Sequence, residues 1–295
     1  MKGKFGFRLL AVVFLAIFFC STFALSIEAK AGTSLKEEKI KISSPSIHKS
    51  QFEQSLTIEG TSSLSKIWLA LRGPGGELTV YPVKVNKGSF KEKIWLRFGA
   101  GKYTLWAGDN KNHFNGKIRY EFYNTSKKNL LYLTPSGYVQ SEDPTIRKLA
   151  NRITIGKTNP LDKARAIHSW VTKNIAFDTQ AYYKGQGEMK TAPEIIDRRK
   201  GICRDYAFVY ASLARAANIP TRVVYGVAWN NSLKKYENHA WNQSYIDERW
   251  INVDTTWDAG YVKNKKFVPK ATDKYFNPKA KDFSKTHKVT RVTLY

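Results

Sequence analysis

Short stretches in which apolar and polar residues alternate fill the chain from residue 40 to about residue 123. Turns rich in glycine, proline and asparagine separate these stretches, for example at residues 73–76 and 86–88. Alternation with period two indicates strands that bury one face, and short strands at this spacing are typical of a sandwich or a barrel. The pattern therefore predicts an all-β domain with strands at residues 56–58, 67–71, 78–85, 90–98 and 103–107.

The composition turns polar at residues 124–129, and beyond them the apolar residues recur with the spacing of helices. N-cap signals precede several of these runs. They are the pairs Asp143-Pro144 and Asn159-Pro160 and the capping-box residues Thr191 and Glu194. We therefore expect a domain boundary near residue 125, with a β domain over residues 32–125 and a domain of helices and strands over residues 126–295.

A further apolar-periodic run ends at Asn218, two residues before Pro220, and it begins at the heptapeptide Lys200-Gly201-Ile202-Cys203-Arg204-Asp205-Tyr206. These signals predict a helix with Cys203 in its first turn. The unpaired N–H groups and the positive dipole end at a helix start favour a thiolate and can hold an oxyanion. Since free cysteine is among the most buried residue types, a small buried side chain is the alternative.

Two alternating runs flank Asp247 and Glu248, which predicts a β-hairpin. With a two-residue loop, Ile246 pairs with Arg249, and His239 then shares a face with Asp254 as its diagonal neighbour, about 7–8 Å away. A three-residue loop would place Asp254 on the opposite face. Cys203, His239 and Asp254 would together form a set of nucleophile, base and orienting acid. The alternatives are that His239 is a structural histidine and that Asp254 only caps a turn. A further histidine, His168, is interpreted as a surface or structural residue.

The first thirty residues differ from the rest of the chain. Lys2, Lys4 and Arg8 precede an apolar run, and Ala29 and Ala31 form a small-x-small site. This pattern predicts a secretory signal peptide over residues 1–31, and therefore a secreted or cell-surface protein, with a retained membrane anchor as the alternative. Cleavage would remove Cys20 and leave Cys203 as the sole cysteine, which excludes an intramolecular disulfide in the mature protein.

The formal charge of +25 is strongly positive, and it falls to about +22 if residues 1–31 are removed. Such a chain is attracted to polyanions. No helix-turn-helix, zinc-finger or RNA-stacking motif is present, so we expect no specific nucleic-acid binding. For an exported protein we expect anionic cell-wall polymers as partners, and the alternative is a charge that only aids solubility.

The residues around the predicted triad resemble the transglutaminase-like superfamily, which shares its active-site plan with papain-type proteases. The resemblance covers about residues 130–285 and rests on the heptapeptide around Cys203, on His239-Ala240-Trp241-Asn242, and on Trp250-Ile251-Asn252-Val253-Asp254-Thr255-Thr256-Trp257. It implies an α+β fold in which helices pack on an antiparallel sheet. The segment at residues 101–108 is similar to a late strand of bacterial immunoglobulin-like modules, which suggests that fold for the β domain.

By this resemblance Cys203 is the nucleophile, His239 the base and Asp254 its orienting acid. The resemblance implies a thioester formed from a peptide or protein amide and resolved by an amine or by water. We expect no cofactor and no metal, because no loop with calcium-ligand spacing is present. We also expect a monomer whose substrate groove includes Trp241, Tyr182 and Tyr183. The alternative function is a catalytically silent wall-binding or adhesion protein.

Overall fold

The computed structural model describes residues 36–37, 39–45, 50–185, 187–231 and 233–295. The predicted signal peptide at residues 1–31 lies outside these ranges. Within them, no helix combines the length and the apolar character that crossing a membrane requires.

The first part of the described chain consists of strands arranged in two sheets. One sheet has the strand order β1-β2-β4-β7, and the other has the order β3-β9-β8-β5-β6. The strands are β1 (Lys36–Glu37), β2 (Ile40–Ser44), β3 (Gln51–Phe52), β4 (Ser55–Ser62), β5 (Lys66–Arg72), β6 (Leu78–Lys84), β7 (Ser89–Trp95), β8 (Gly101–Gly108) and β9 (Arg119–Asn124). Apolar side chains from both sheets, such as Ile58 and Leu69, fill one shared core, as in a sandwich.

Helices and an antiparallel sheet form the second part. Its elements are α1 (Pro144–Thr154), α2 (Pro160–Asn174), β10 (Ala176–Phe177), α3 (Thr179–Lys184), α4 (Ala192–Arg198), β11 (Lys200–Gly201), α5 (Cys203–Ala216), β12 (Thr221–Asn230), β13 (Lys235–Ile246), β14 (Arg249–Val253), α6 (Thr255–Ala259), β15 (Gly260–Lys263), β16 (Lys266–Pro269), α7 (Ala280–Phe283) and β17 (His287–Val292). The main sheet has the order β14-β13-β12-β17. The predicted α+β class, preceded by β-strands, is therefore confirmed.

Helix α5 forms the centre of this second part. Its side chains are buried over nearly its whole length, and they pack against α1, α2 and α4 on one side and against β12 and β13 on the other. The helices around it begin at the predicted caps. The side chain of Asp143 accepts hydrogen bonds at the start of α1, that of Asn159 does so at the start of α2, and Thr191 and Glu194 form a capping box.

The two parts have separate hydrophobic cores, and buried polar contacts connect them. Arg97, only 1% exposed, follows β7 and donates hydrogen bonds to the backbone oxygens of Leu131 and Leu294, at 2.9 and 2.5 Å. A buried guanidinium is costly unless it is hydrogen-bonded, so these contacts hold the two parts in a defined arrangement. The division at residue 125 and the immunoglobulin-like character of the first part stay predictions.

The hairpin of β13 and β14 has the predicted register. Ile246 pairs with Arg249, and the pairing continues to Asn242 and Val253. The two loop residues, Asp247 and Glu248, have φ angles of 49° and 59°. These left-handed values suit a two-residue hairpin turn, in which glycine and asparagine are usual. The turn thus keeps the even register without glycine, and Asp254 falls on the strand end that the register requires.

We expect Glu248→Gly to stabilise the protein by about 1 kcal/mol, because a non-glycine residue is strained in the left-handed region. Thermal unfolding should show this as a rise of about 2–4 °C in Tm. Glu248→Ala removes the same charge and keeps the Cβ, so it should give no such rise. Equal Tm values for the two variants would contradict this account of the turn.

Candidate active site

Cys203 is the first residue of α5 and is half-buried. The chain reaches it through a short parallel pair in which Phe177 pairs with Gly201, and the N–H of Asp178 donates to the carbonyl oxygen of Gly201 at 2.9 Å. The predicted helix start is therefore confirmed. Because the thiol is partly exposed, it can reach a ligand, which a fully buried cysteine could not.

A carboxylate closes the turn before Cys203. Asp205 accepts a hydrogen bond from the N–H of Ile202 at 3.0 Å and another from Nε of the buried Arg204 at 3.2 Å. The carboxylate can fold back in this way only beside a glycine, because a Cβ at Gly201 would lie 2.5 Å from Cβ of Asp205. The sequence Gly-Ile-Cys-Arg-Asp thus fixes the backbone that presents the thiol.

The first N–H groups of a helix have no acceptor within that helix. At α5, Asp205 takes up the N–H of Ile202, and the N–H groups of Cys203 and Arg204 follow at the open helix start. One of these donors belongs to the residue that carries the sulfur, and the other belongs to the next residue of the helix. They are therefore suited to hold an oxyanion that forms on a carbonyl group attacked by Cys203.

His239 lies on β13 opposite Gly226 of β12 and is 7% exposed. The Trp241 ring stacks beneath the imidazole, with ring centroids 6.0 Å apart. Gly226 leaves room for this ring, since a Cβ there would lie 2.5 Å from the edge of Trp241. Trp241 is only 1% exposed and packs with Val224 and Phe283. Its prediction as a groove residue is corrected here, because it shares the histidine's face but lies under it as a support.

Asp254 follows β14 and is fully buried. Its Oδ2 accepts a hydrogen bond from Nε2 of His239 at 2.7 Å. Its Oδ1 accepts the backbone N–H groups of Thr256 and Trp257, at 3.0 and 3.1 Å, and so caps α6. The turn cap that the sequence offered as an alternative is therefore present, and the same side chain contacts His239; its role as the orienting acid stays a prediction.

Asp254 and Cys203 both act on the pKa of His239. Burial by itself would lower the pKa of His239, but the Asp254 carboxylate and the Cys203 side chain outweigh it and raise that pKa to about 10. Burial would raise the pKa of Asp254, yet His239 and His287 hold it well below its usual range. Since Asp254 occupies Nε2, Nδ1 is the ring nitrogen left for the sulfur. The structure thus brings Cys203, His239 and Asp254 together, and their catalytic roles stay predictions.

Sequence reasoning missed a second histidine at this carboxylate. Nε2 of His287, the first residue of β17, lies 3.1 Å from Oδ2 of Asp254. The side-chain ligand atoms of His239, Asp254 and His287 all lie within 4.8 Å of one another, as in a metal site. The two nitrogen–oxygen distances, 2.7 and 3.1 Å, are those of hydrogen bonds, so protons on the two rings account for the arrangement.

Tyr182 and Tyr183, predicted for the groove, lie on α3. The Tyr182 hydroxyl donates to Glu237 on β13 at 2.8 Å, while Tyr183 is 54% exposed. Burial and Glu237 raise the pKa of Tyr182, and the nearby Cys203 acts in the same direction. Tyr182 is therefore a neighbour of the thiol, and the assignment of both tyrosines to a substrate groove stays a prediction.

His168 forms a second buried pair, separate from Cys203. It is 1% exposed, and its Nε2 lies 2.9 Å from Oδ2 of the fully buried Asp258. Asp258 also accepts the N–H of Tyr275 and the hydroxyl of Thr272, and so it holds the segment after β16. Of the two alternatives for His168, the structural one is correct, because the side chain is buried and paired. Its partner lies ninety residues further along the chain.

The pair of His239 and Asp254 predicts how stability varies with pH. The raised pKa of His239 contributes stability that is complete below the ordinary value of 6.5 and is lost as the pH rises towards about 10. The lowered pKa of Asp254 gives stability above about 3.8 that is lost as the pH falls further. Burial lowers the pKa of His287, which adds a loss below pH 6.5. We therefore expect Tm to peak near pH 6.5. By pH 10 the free energy of unfolding should have fallen by on the order of a few kcal/mol.

Thermal unfolding followed from pH 4 to 10 measures this profile. In His239→Asn the decline above pH 6.5 should largely disappear, because the ionised imidazole that causes it is absent. His113→Asn, which changes an exposed histidine of the first part, should keep the wild-type shape. An unchanged alkaline decline in His239→Asn would show that other groups produce it.

Residues 147–255 match the family model of the transglutaminase-like superfamily. Among curated proteins, the mouse kyphoscoliosis peptidase is 29% identical over 108 residues, which are 35% of this chain and 16% of that protein. An uncharacterized protein of Haemophilus influenzae is 34% identical over 98 residues, 32% of this chain and 26% of that one. The chain thus matches about a quarter or less of the length of these relatives.

Solved structures with a similar chain include a candidate cysteine protease of Cytophaga hutchinsonii and the transglutaminase of red sea bream. For the first, the TM-score is 0.39 and the sequence identity 19%, and the alignment spans 88% of this chain and 79% of the protease chain. For the second, the TM-score is 0.33 and the sequence identity 14%, and the alignment spans 74% of this chain and 50% of the transglutaminase chain.

Proposed function

We propose that this chain, whose residues 147–255 match the family model of the transglutaminase-like superfamily, is an exported cysteine enzyme that transfers acyl groups from peptide or protein amides. The observation that carries the proposal is that His239 contacts the buried carboxylate of Asp254 and is also close enough to the half-buried Cys203 for that side chain to act on it. A thiol, an imidazole and an orienting acid in this order are the parts that nucleophilic acyl transfer requires.

In the proposed reaction, the thiolate of Cys203 attacks the amide carbonyl carbon and forms a C–S bond. The N–H groups of Cys203 and Arg204 hold the oxyanion. When the C–N bond breaks, the imidazolium of His239 gives its proton to the departing amine, and a thioester remains. Asp254 keeps the imidazole oriented and stabilises its positive charge during these steps.

The thioester then reacts with an acceptor. His239 removes a proton from an amine or from water, the acceptor attacks the carbonyl carbon, and the C–S bond breaks to release the thiolate. An amine acceptor produces a crosslink or a conjugate, and water produces a hydrolysed amide. The mouse relative is named a peptidase, and this favours water as the acceptor.

Mass spectrometry can test the reaction and its acceptor together. The protein is incubated with a mixture of glutamine-containing and other peptide amides, with and without a labelled primary amine. We expect an acyl adduct on the peptide that contains Cys203. The products should be either conjugates that carry the labelled amine or carboxylic acids in which a hydroxyl group has replaced the amine of the amide. Cys203→Ala should form none of these. The absence of adduct and product across the mixture, with a Cys203 no more reactive than a free thiol, would contradict the proposal.

We further propose that a basic tract near the site binds anionic cell-wall polymers. Residues 260–292 contain ten lysines and arginines and two aspartates, and all ten basic residues are exposed. Several of these cations lie over exposed or half-buried tyrosines: Lys265 over Tyr183, Lys288 over Tyr236 and Arg291 over Tyr225. Clustered cations next to aromatic rings suit a flexible polyanion.

Binding of a soluble poly(glycerol phosphate) should therefore weaken steeply with salt. We expect replacement of Lys263, Lys265 and Lys266 by serine to weaken it about tenfold, since each cation near the polyanion contributes to binding. The matched control replaces the exposed lysines Lys87, Lys111 and Lys117 of the first part, with the same change in net charge. Binding that ignores salt, or equal effects of both triple variants, would contradict a defined site.

A further inference from the structure

Asp254 has all its hydrogen-bonding capacity in use. Backbone N–H groups occupy Oδ1, and Oδ2 receives both His239 and His287. An ionised carboxylate only accepts hydrogen bonds, so both imidazoles must present an N–H at Nε2. When the ring of His239 is neutral, its one proton therefore stays on Nε2, and Nδ1 is left to accept the proton of the sulfur. The tautomer of the base therefore depends on where Oδ2 lies.

His287 is held in place by aromatic rings and by the chain. Its ring stacks on Phe283 with centroids 3.9 Å apart and lies 4.4 Å from the Trp257 ring and 5.2 Å from the Trp241 ring. Its Nδ1 lies 2.9 Å from the Thr286 hydroxyl. With 4% of its surface exposed, His287 is shielded from water, so its contact with Asp254 does not compete with solvent.

We propose that His287 is a positioning residue for the reaction: it holds Oδ2 of Asp254 under Nε2 of His239, and thereby keeps Nδ1 of His239 ready to take the proton of Cys203. The inference rests on the proposed function and adds to it a residue outside the predicted triad. Because His287 begins β17, the proposal also makes that edge strand part of the active site.

The charges around His287 are consistent with this role. The ionisable groups that face it are Asp254 and His239, while Tyr275 lies 5.8 Å away, ring to ring. Burial lowers the pKa of His287, and the positive charge of His239 adds to this against the opposing effect of Asp254. A neutral His287 can donate a hydrogen bond to the carboxylate and still leave its negative charge to stabilise the imidazolium of His239.

The test measures alkylation of Cys203 by iodoacetamide as a function of pH, by mass spectrometry, so it needs no substrate. In this step the thiolate forms a C–S bond to the methylene carbon, and iodide leaves. We expect His287→Ala to lower the rate at pH 6–7 about tenfold and to move the midpoint of the rise in rate about one pH unit upward. His287→Gln keeps an N–H near the position of Nε2, so it should restore most of the wild-type profile.

His168→Ala is the matched control, because it removes an equally buried histidine from an equally buried carboxylate. It should lower Tm and leave the profile within about twofold of the wild type. If His287→Ala has the wild-type profile, or if His287→Gln is as impaired as His287→Ala, the positioning role is wrong, although the proposed function stands. If wild-type Cys203 reacts no faster than a free thiol, both are wrong.

Discussion

His239→Ala should lower both alkylation and acyl transfer at Cys203, the latter by about 10⁴-fold. Without the imidazole, the thiol loses the base that takes its proton and the acid that returns one to the departing amine, and the thiolate loses the imidazolium. The carboxylate of Asp254 keeps its contacts with His287 and with the start of α6, so we expect the fold to persist. Mass spectrometry of the Cys203 adduct and of the amine conjugate measures the two losses separately.

The control for His239→Ala is again His168→Ala, which empties a similar buried site in the same part of the fold. It should unfold at a lower temperature and retain its acyl-transfer rate. A loss of rate in His168→Ala as large as in His239→Ala would attribute both effects to general destabilisation. A His239→Ala rate within tenfold of the wild type would show that His239 is not the base.

Asp254→Asn should reduce acyl transfer by about 10⁴-fold through a change of tautomer. The asparagine Oδ1 can still accept the N–H groups of Thr256 and Trp257, which leaves its NH₂ group facing Nε2 of His239. An NH₂ group donates, so Nε2 must become the acceptor and the ring proton moves to Nδ1. Nδ1 then cannot take the proton of Cys203, and the stabilising negative charge is lost as well.

The rate of acyl transfer and the ¹⁵N chemical shifts of the His239 ring test this account together. We expect a slow variant whose ring nitrogens have exchanged their protonation pattern. Asp258 lies on α6, the short helix that Asp254 caps, and pairs with His168. Asp258→Asn should therefore leave the ¹⁵N chemical shifts of His239 unchanged. A slow Asp254→Asn variant with the wild-type tautomer would assign the loss to charge alone, and a fast one would exclude Asp254 from the reaction.

Much of the candidate site could be predicted because the signals for it are local. The start of α5 at Cys203 follows from an apolar period and its stop residues, and both lie within one helix. The face shared by His239 and Asp254 follows from a count of residues through a two-residue turn. The turn itself, at Asp247 and Glu248, lacks the usual glycine, and the register holds in spite of the left-handed backbone that these residues adopt.

Other features depend on contacts between distant segments. His287 comes 33 residues after Asp254 in the chain, and only the pairing of β17 with β12 brings the two together. Trp241 shares a face with His239, but the alternation of a strand does not distinguish an open face from one that α7 covers. His168 meets Asp258 only because α2 packs against α6.

The amino-acid sequence by itself determined the class of fold, the helix that begins at Cys203 and the register that aligns His239 with Asp254. These features follow from periodicity, caps and turn length, which act over a few neighbouring residues. The tertiary structure alone decided that Asp254 serves two histidines and a helix cap at once, and that Trp241 supports the base from below. Such arrangements arise when separate segments pack around one buried carboxylate, and no local pattern of residues specifies which segments will meet there.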